Sequence, residues 1–141
     1  MKAFVNDEDY KVVIGERALK VLSQTDEANR RKAEITAIEE ISGYLRHKYD
    51  CAAIFSAEGD ERNPLIIMYA CDIALYHMSS SAPGRMEADT RKERYDDAIK
   101  WLTRVQSGDI IPNLPLIQDE DTGTTGIPLL CGSEVKIDTI W

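Results

Sequence analysis

Histidine, cysteine and long apolar runs are scarce in this chain. Two histidines and three cysteines are spread over 141 residues. Cys51, Cys71 and Cys131 are odd in number and widely spaced, and no CxxC pair occurs. That pattern argues against a disulfide framework or a zinc ribbon and for reduced thiols. No stretch approaches the roughly 18 consecutive apolar residues of a membrane helix. The opening "MKAFVNDEDY" holds no apolar segment of the secretory type, so no signal peptide is expected.

The motifs that carry common chemistries are missing too. There is no P-loop, no GxGxxG, no GxSxG and no HExxH. Basic excess is also lacking: the net charge is −8, and residues 109–141 carry six acids against Lys136 alone. Proteins that grip phosphate are normally basic, because counterion release drives that binding. Neither nonspecific nor sequence-specific DNA binding is expected, although DNA can pass an acidic surface.

What is present suits a single folded domain. Hydrophobic residues make up 43% and charged residues 30%, a soluble composition rather than a disordered one. A chain of this length can bury one real core. Residues 6–22 read as two short helical pieces hinged at Gly15, capped by Asn6 with Asp7, Glu8 and Asp9 at the positive end. Residues 26–49 read as a long helix whose apolar face is Ile35, Ile38, Ile41, Leu45 and Tyr49. Its opposite face holds Arg30, Arg31, Glu34, Glu39 and Arg46. Gly43 within it suggests that a backbone packs closely there.

Residues 50–62 read as a loop. Asn63 and Pro64 then cap and start a helix to about Met78, apolar on nearly every side and so expected at the centre. A last helix spans about Met86 to Ser107, with Tyr95, Ala98, Ile99, Leu102 and Val105 as its buried stripe and Gly108 as its stop. Beyond it, residues 109–141 hold three of the five prolines and no helical period. Ile110–Ile117 and Val135–Ile140 read as extended segments. The expected fold is therefore all-α. It is a compact bundle of about four main helices over residues 1–108, with an extended, partly β acidic tail over residues 109–141.

The polar residues offer few sites. Cys71 shares the densest apolar face with Ile67, Ala74, Leu75 and Met78, where free cysteine behaves as a small hydrophobe. Its neighbour Asp72 points about 100° away around the helix, on the less apolar side. His77 lies near the helix end. His47 and Cys51 are four apart, but no third metal ligand accompanies them. The acidic "DEDTGTTGIPLL" places Thr124 and Leu130 where a calcium loop needs glycine and glutamate. No catalytic residue, metal or cofactor is expected. Trp101 sits beside the buried stripe and Trp141 is the last residue; both are candidate contact anchors.

The stretches "FVNDEDYKVVIGERALKVLSQ", "AIEEISGYLRHKYD", "NPLIIMYACDIALYHM" and "RKERYDDAIKWLTRVQSG" resemble a Mu-like prophage family of small virion proteins of unknown function, related to head–tail connector (head-completion) proteins. The resemblance covers residues 4–108. It rests on Gly15-Glu16, Tyr44-Leu45, Tyr49, the run Ala70 to Ala74, Arg94-Tyr95-Asp96, Ala98 and Trp101-Leu102. It implies a structural, non-enzymatic subunit of a phage particle. Such a subunit works in the host cytoplasm during assembly and then in the virion, with portal and tail proteins and further copies of itself as partners. A ring needs heterologous faces. Trp101, Ile110, Leu114, Leu116, Ile137, Ile140 and Trp141 could supply one, the tail pairing with itself as a ribbon that reaches a neighbour. Two other classes fit the composition: a cytoplasmic helical adaptor, and a small enzyme whose site would draw on His47, His77, Asp72 and Tyr76.

Overall fold

The computed structural model describes residues 3–23, 27–81 and 88–118. Among these residues five helices follow one another: α1 (Asp7–Ser23), α2 (Glu27–Leu45), α3 (Cys51–Ser56), α4 (Pro64–Ser81) and α5 (Ala88–Ser107). A 3-10 turn, Gly59–Glu61, lies before α4. The described part is an all-α bundle, and residues 110–117 run along it as an extended strap.

The helix starts follow from local chemistry. Asn6 and Asp9 satisfy each other's end of α1: Asp9 N–H donates to Asn6 Oδ1 at 3.0 Å, and Asn6 N–H donates to Asp9 Oδ2 at 2.9 Å. This is a capping box with aspartate in the third position. Asn63 Oδ1 accepts from the N–H groups of Leu65 and Ile66 at 2.9 and 3.2 Å, and Pro64 needs no donor partner at the first helical place. At Gly15 the backbone turns to φ 80, ψ 164, which only glycine adopts easily, and α1 kinks there as expected. Gly108, at φ 92, stops α5, and the amides of Asp109 and Ile110 fold back onto Arg104 O.

The α4 helix is the centre. Ala70 to Leu75 are buried without a break, and Ile66 and Met78 extend that burial to both ends. A helix buried all round needs cover on several sides, and α2, α5 and α1 all pack on it. On α5 the buried residues are Ala98, Leu102 and Val105, with Tyr95 and Ile99 half-buried beside them. The expected stripe is the observed one.

Three expectations are corrected. The buried side of α2 is Ala33, Glu34, Ala37, Ile41, Ser42 and Leu45, whereas Ile35 is 59% exposed. Small residues let α2 approach α4 closely, so the face is chosen by fit rather than by hydrophobicity alone. Gly43 lies on the exposed side, and an added Cβ would meet nothing within 4 Å. Residues 50–62 are not simply loop: Asp50 Oδ1 accepts from Ala53 N–H at 3.1 Å and starts α3, whose Ile54 enters the core.

The described part of the tail, residues 109–118, follows an extended path, and the rest of the expected ribbon lies outside the described residues. Among the described residues there is no strand; Tyr49 and Leu116 form an isolated antiparallel bridge, and Gln118 is a further bridge position. The Tyr49–Leu116 bridge is framed by Asp50 N–H to Pro115 O at 2.9 Å and Ile117 N–H to Lys48 O at 3.1 Å. Two prolines in six residues remove the donors a ladder would need. Val135–Ile140 lies outside the described residues.

Candidate functional site

The helices bring together a polar cluster that no short motif announces. Glu40 of α2 faces His77 of α4 and Tyr95 of α5. His77 Nε2 lies 2.5 Å from Glu40 Oε1, and Tyr95 Oη donates to Glu40 Oε2 at 2.9 Å. Tyr76 stacks on Tyr95 with ring centroids 4.2 Å apart, and His77 meets both rings edge-on. Burial, the bond to Glu40 and that carboxylate's charge push the Tyr95 phenol up to about 12. The phenol is therefore a firm hydrogen-bond donor at neutral pH. One carboxylate ties three helices together.

Asp72 does not join this cluster. It is 2% exposed, in contrast to the less apolar position expected, and Arg94 of α5 holds both its oxygens at 2.7 and 3.3 Å. Burial pushes the Asp72 carboxyl up, and the Arg94 and Arg91 guanidinium groups oppose that shift. At the other end of the bundle Tyr10 Oη donates to Glu34 Oε2 at 2.7 Å, a buried bond that also receives Arg30 Nε at 3.3 Å. Burial beside Glu34 raises the Tyr10 phenol far above its ordinary range. Arg62 clamps the N-terminal stretch through Phe4 O at 2.8 Å and Asp9 Oδ2 at 2.6 Å.

Among the described residues, Cys51, Cys71 and His47 make no hydrogen bond to these groups. Cys71 is fully buried, and burial pushes its thiol up, away from thiolate chemistry. Cys51 directs its thiol to Ser42 O at 3.9 Å. His47 is exposed on the turn after α2. Among the described residues no three His, Cys, Asp or Glu side chains gather as metal ligands. Surface grooves border the Glu34 and Arg62 groups rather than the Glu40 cluster. One of about 560 Å³ is lined by Asn6, Asp7, Glu8, Arg30 and Arg31, and one of about 530 Å³ by Phe4, Ala52, Phe55 and Arg62.

Of the contact candidates, Trp101 is half-buried against Tyr69, with ring centroids 4.9 Å apart. Leu114 is buried, and Ile110 and Leu116 are partly buried against the core. Ile137, Ile140 and Trp141 lie outside the described residues. The sequence reading missed Glu40, Glu34, Arg94 and Tyr95 as polar partners. Their mates are 22 to 55 positions away, so no local signal could pair them.

The family model described as Bacteriophage Mu, Gp36 matches residues 4–126. The chain belongs to that family. The match spans all five described helices and the strap. No curated protein and no solved structure matches the chain. This member of the Mu family is thus a phage or prophage protein built as a helical bundle. Among its described residues, no helix is long and apolar enough to cross a membrane.

Proposed function

We propose that this protein is a structural head–tail connector, or neck, subunit that assembles by protein–protein contacts into a ring at the portal–tail junction. The observation that carries the reading is the family match over residues 4–126, read together with how the polar groups are used. Asp72, Glu40, His77 and Tyr95 are each engaged in tying one helix to another. A catalytic site needs such groups to converge on a cavity with room for a reactant. Here they serve the rigidity that a ring subunit needs.

The charge supports the same reading. With a net charge of −8, the subunit repels DNA rather than holding it, as suits a passage through which DNA slides. The partners would be portal and tail proteins together with sister copies. Cryo-electron microscopy of an intact particle tests this directly. Density for this chain in a ring between portal and tail is the expected result. Its absence from the particle, or a place inside the head or at the tail tip, overturns it.

A further inference from the structure

Two surfaces of the subunit complement each other and share no residue. The first lies where α4 meets α5. Leu65 and Tyr69 are one turn apart on α4, Leu65 is 42% exposed, and the Tyr69 ring rests on the half-buried Trp101 of α5. Tyrosine and tryptophan are the side chains that most often anchor a protein contact. Lys100 and Arg104, exposed and a turn apart, flank Trp101 on the same helix. Elsewhere in this acidic chain cations sit against acids, as Arg46 does on Glu39, Lys92 on Asp96 and Arg94 on Asp72. Lys100 and Arg104 have no ion-pair partner among the described residues. Asp97, on the same side of α5, lends its charge to Arg94.

The second surface is the groove of about 530 Å³ between the N-terminal stretch and α3. Phe4 and Phe55 meet edge-to-face there with ring centroids 5.0 Å apart, and Ala52 and Glu58 also line it. The turn that follows adds Asp60 and Glu61, both exposed and both without an ion-pair partner among the described residues. A hollow of that size lies in the range that buries a small ligand, which is room for two apolar side chains.

We propose that these two surfaces dock on each other in successive copies of the chain. The exposed edges of Leu65 and Trp101 of one copy pack into the Phe4–Phe55 groove of the next, and Lys100 and Arg104 meet Asp60 and Glu61. Charge selects the occupant: unpaired bases beside an apolar anchor match unpaired acids beside an apolar hollow, and opposed charges fix the register of such a contact. Because the two surfaces differ, the contact is heterologous and passes from copy to copy, closing into a ring where its rotation allows. The ring rests on the connector reading, whereas the contact itself is tested without a particle.

Charge reversal at exposed positions leaves the core alone. Lys100→Glu with Arg104→Glu places acids on both surfaces, and Asp60→Lys with Glu61→Lys places bases on both. Sedimentation of the full chain at low salt, up to about 1 mM, reads the association. The unaltered protein should gain mass with concentration and lose that gain as salt is added, because exposed charges are screened. Either double variant alone should associate about a hundredfold more weakly, since like charges then face each other. Mixed in equal amounts, the two variants should associate again, because acid meets base in both contacts. An unaltered protein that stays monomeric throughout overturns the proposal. So does association that neither reversal weakens, or that mixing the variants fails to restore. A chain that associates in this way yet is missing from the portal–tail junction supports the contact and overturns the connector reading alone.

Discussion

Arg94 grips Asp72 with Nε and Nη2, and the two partners are unequally placed: the aspartate side chain is 3% exposed and the arginine 36%. Removing the arginine strands a buried carboxylate. Removing the aspartate leaves a guanidinium that can turn to water. Arg94→Met should therefore cost about 3 kcal/mol, near the lower end for a broken buried pair. Asp72→Ala should cost only about 1–2 kcal/mol. Urea unfolding of both variants measures the difference. The Arg94→Met deficit should shrink as pH falls, because without the guanidinium that opposes the effect of burial the Asp72 carboxyl of the folded variant takes up its proton at a higher pH than in the unaltered protein, which removes the stranded charge.

A second buried bond ties α1 to α2. Tyr10→Phe removes the hydroxyl that donates to Glu34, yet Glu34 keeps Arg30 at 3.3 Å and Arg31 at 3.6 Å. The loss should stay near 1–2 kcal/mol, the value of a hydrogen bond to a charged group. Equilibrium unfolding in urea would show it as a lower midpoint with an unchanged slope.

Alkaline pH should weaken the bundle through Tyr95. Its phenol sits at about 12, against an ordinary value of 10.0. Below pH 10 the group is neutral in both states and its contribution to stability is whole. Between pH 10 and 12 the unfolded chain sheds the proton first, so stability falls across that window. Tyr95→Phe should flatten part of this fall. Tyr10 is raised as well and should account for a further part. Urea midpoints taken from pH 8 to 12 on both proteins check the sign.

The strap belongs to the folded body. Leu114 is buried, and its neighbours Asp50 and Lys48 exchange backbone bonds with the strap. Leu114→Ala should cost about 2–3 kcal/mol, in the range for a large-to-small change in a core. Ending the chain after Gly108 should cost more than the point change, because it also removes the Asp50–Pro115 and Lys48–Ile117 bonds. Thermal melting of the two variants ranks them.

Much of this architecture was legible in the residue order, and the exceptions share a cause. Helix starts at Asn6 and Asn63 and the stops at Gly15 and Gly108 depend on chemistry within a few positions, which a linear reading captures. The α5 stripe was readable because its polar and apolar sides differ strongly. On α2 they do not. Its buried side mixes Ala33, Glu34, Ala37 and Ser42 with two large aliphatics, so the choice of face depends on the shape of α4. The Glu40–His77–Tyr95 cluster was illegible for the same reason. Tyr95 reads as part of the α5 stripe, but nothing local marks Glu40 and His77 as its partners, and only packing makes the three neighbours.

Two glycines give opposite forecasts that follow from the backbone alone. Gly43 sits in regular helix, and a Cβ there meets open space within the subunit. Gly43→Ala should raise stability by up to about 1 kcal/mol, because alanine restricts the unfolded chain and strains nothing. Gly15 holds φ 80 with ψ 164, a region that side chains with a Cβ avoid. Gly15→Ala should lower stability by about 1–3 kcal/mol although no neighbour crowds the site. The pair separates conformational cost from steric cost, since both positions are open. Should Gly43→Ala destabilise the free subunit in urea, the helix there must bend or be touched in a way the open face does not allow. Were Gly15→Ala neutral, the kink would have to be one that the chain can straighten.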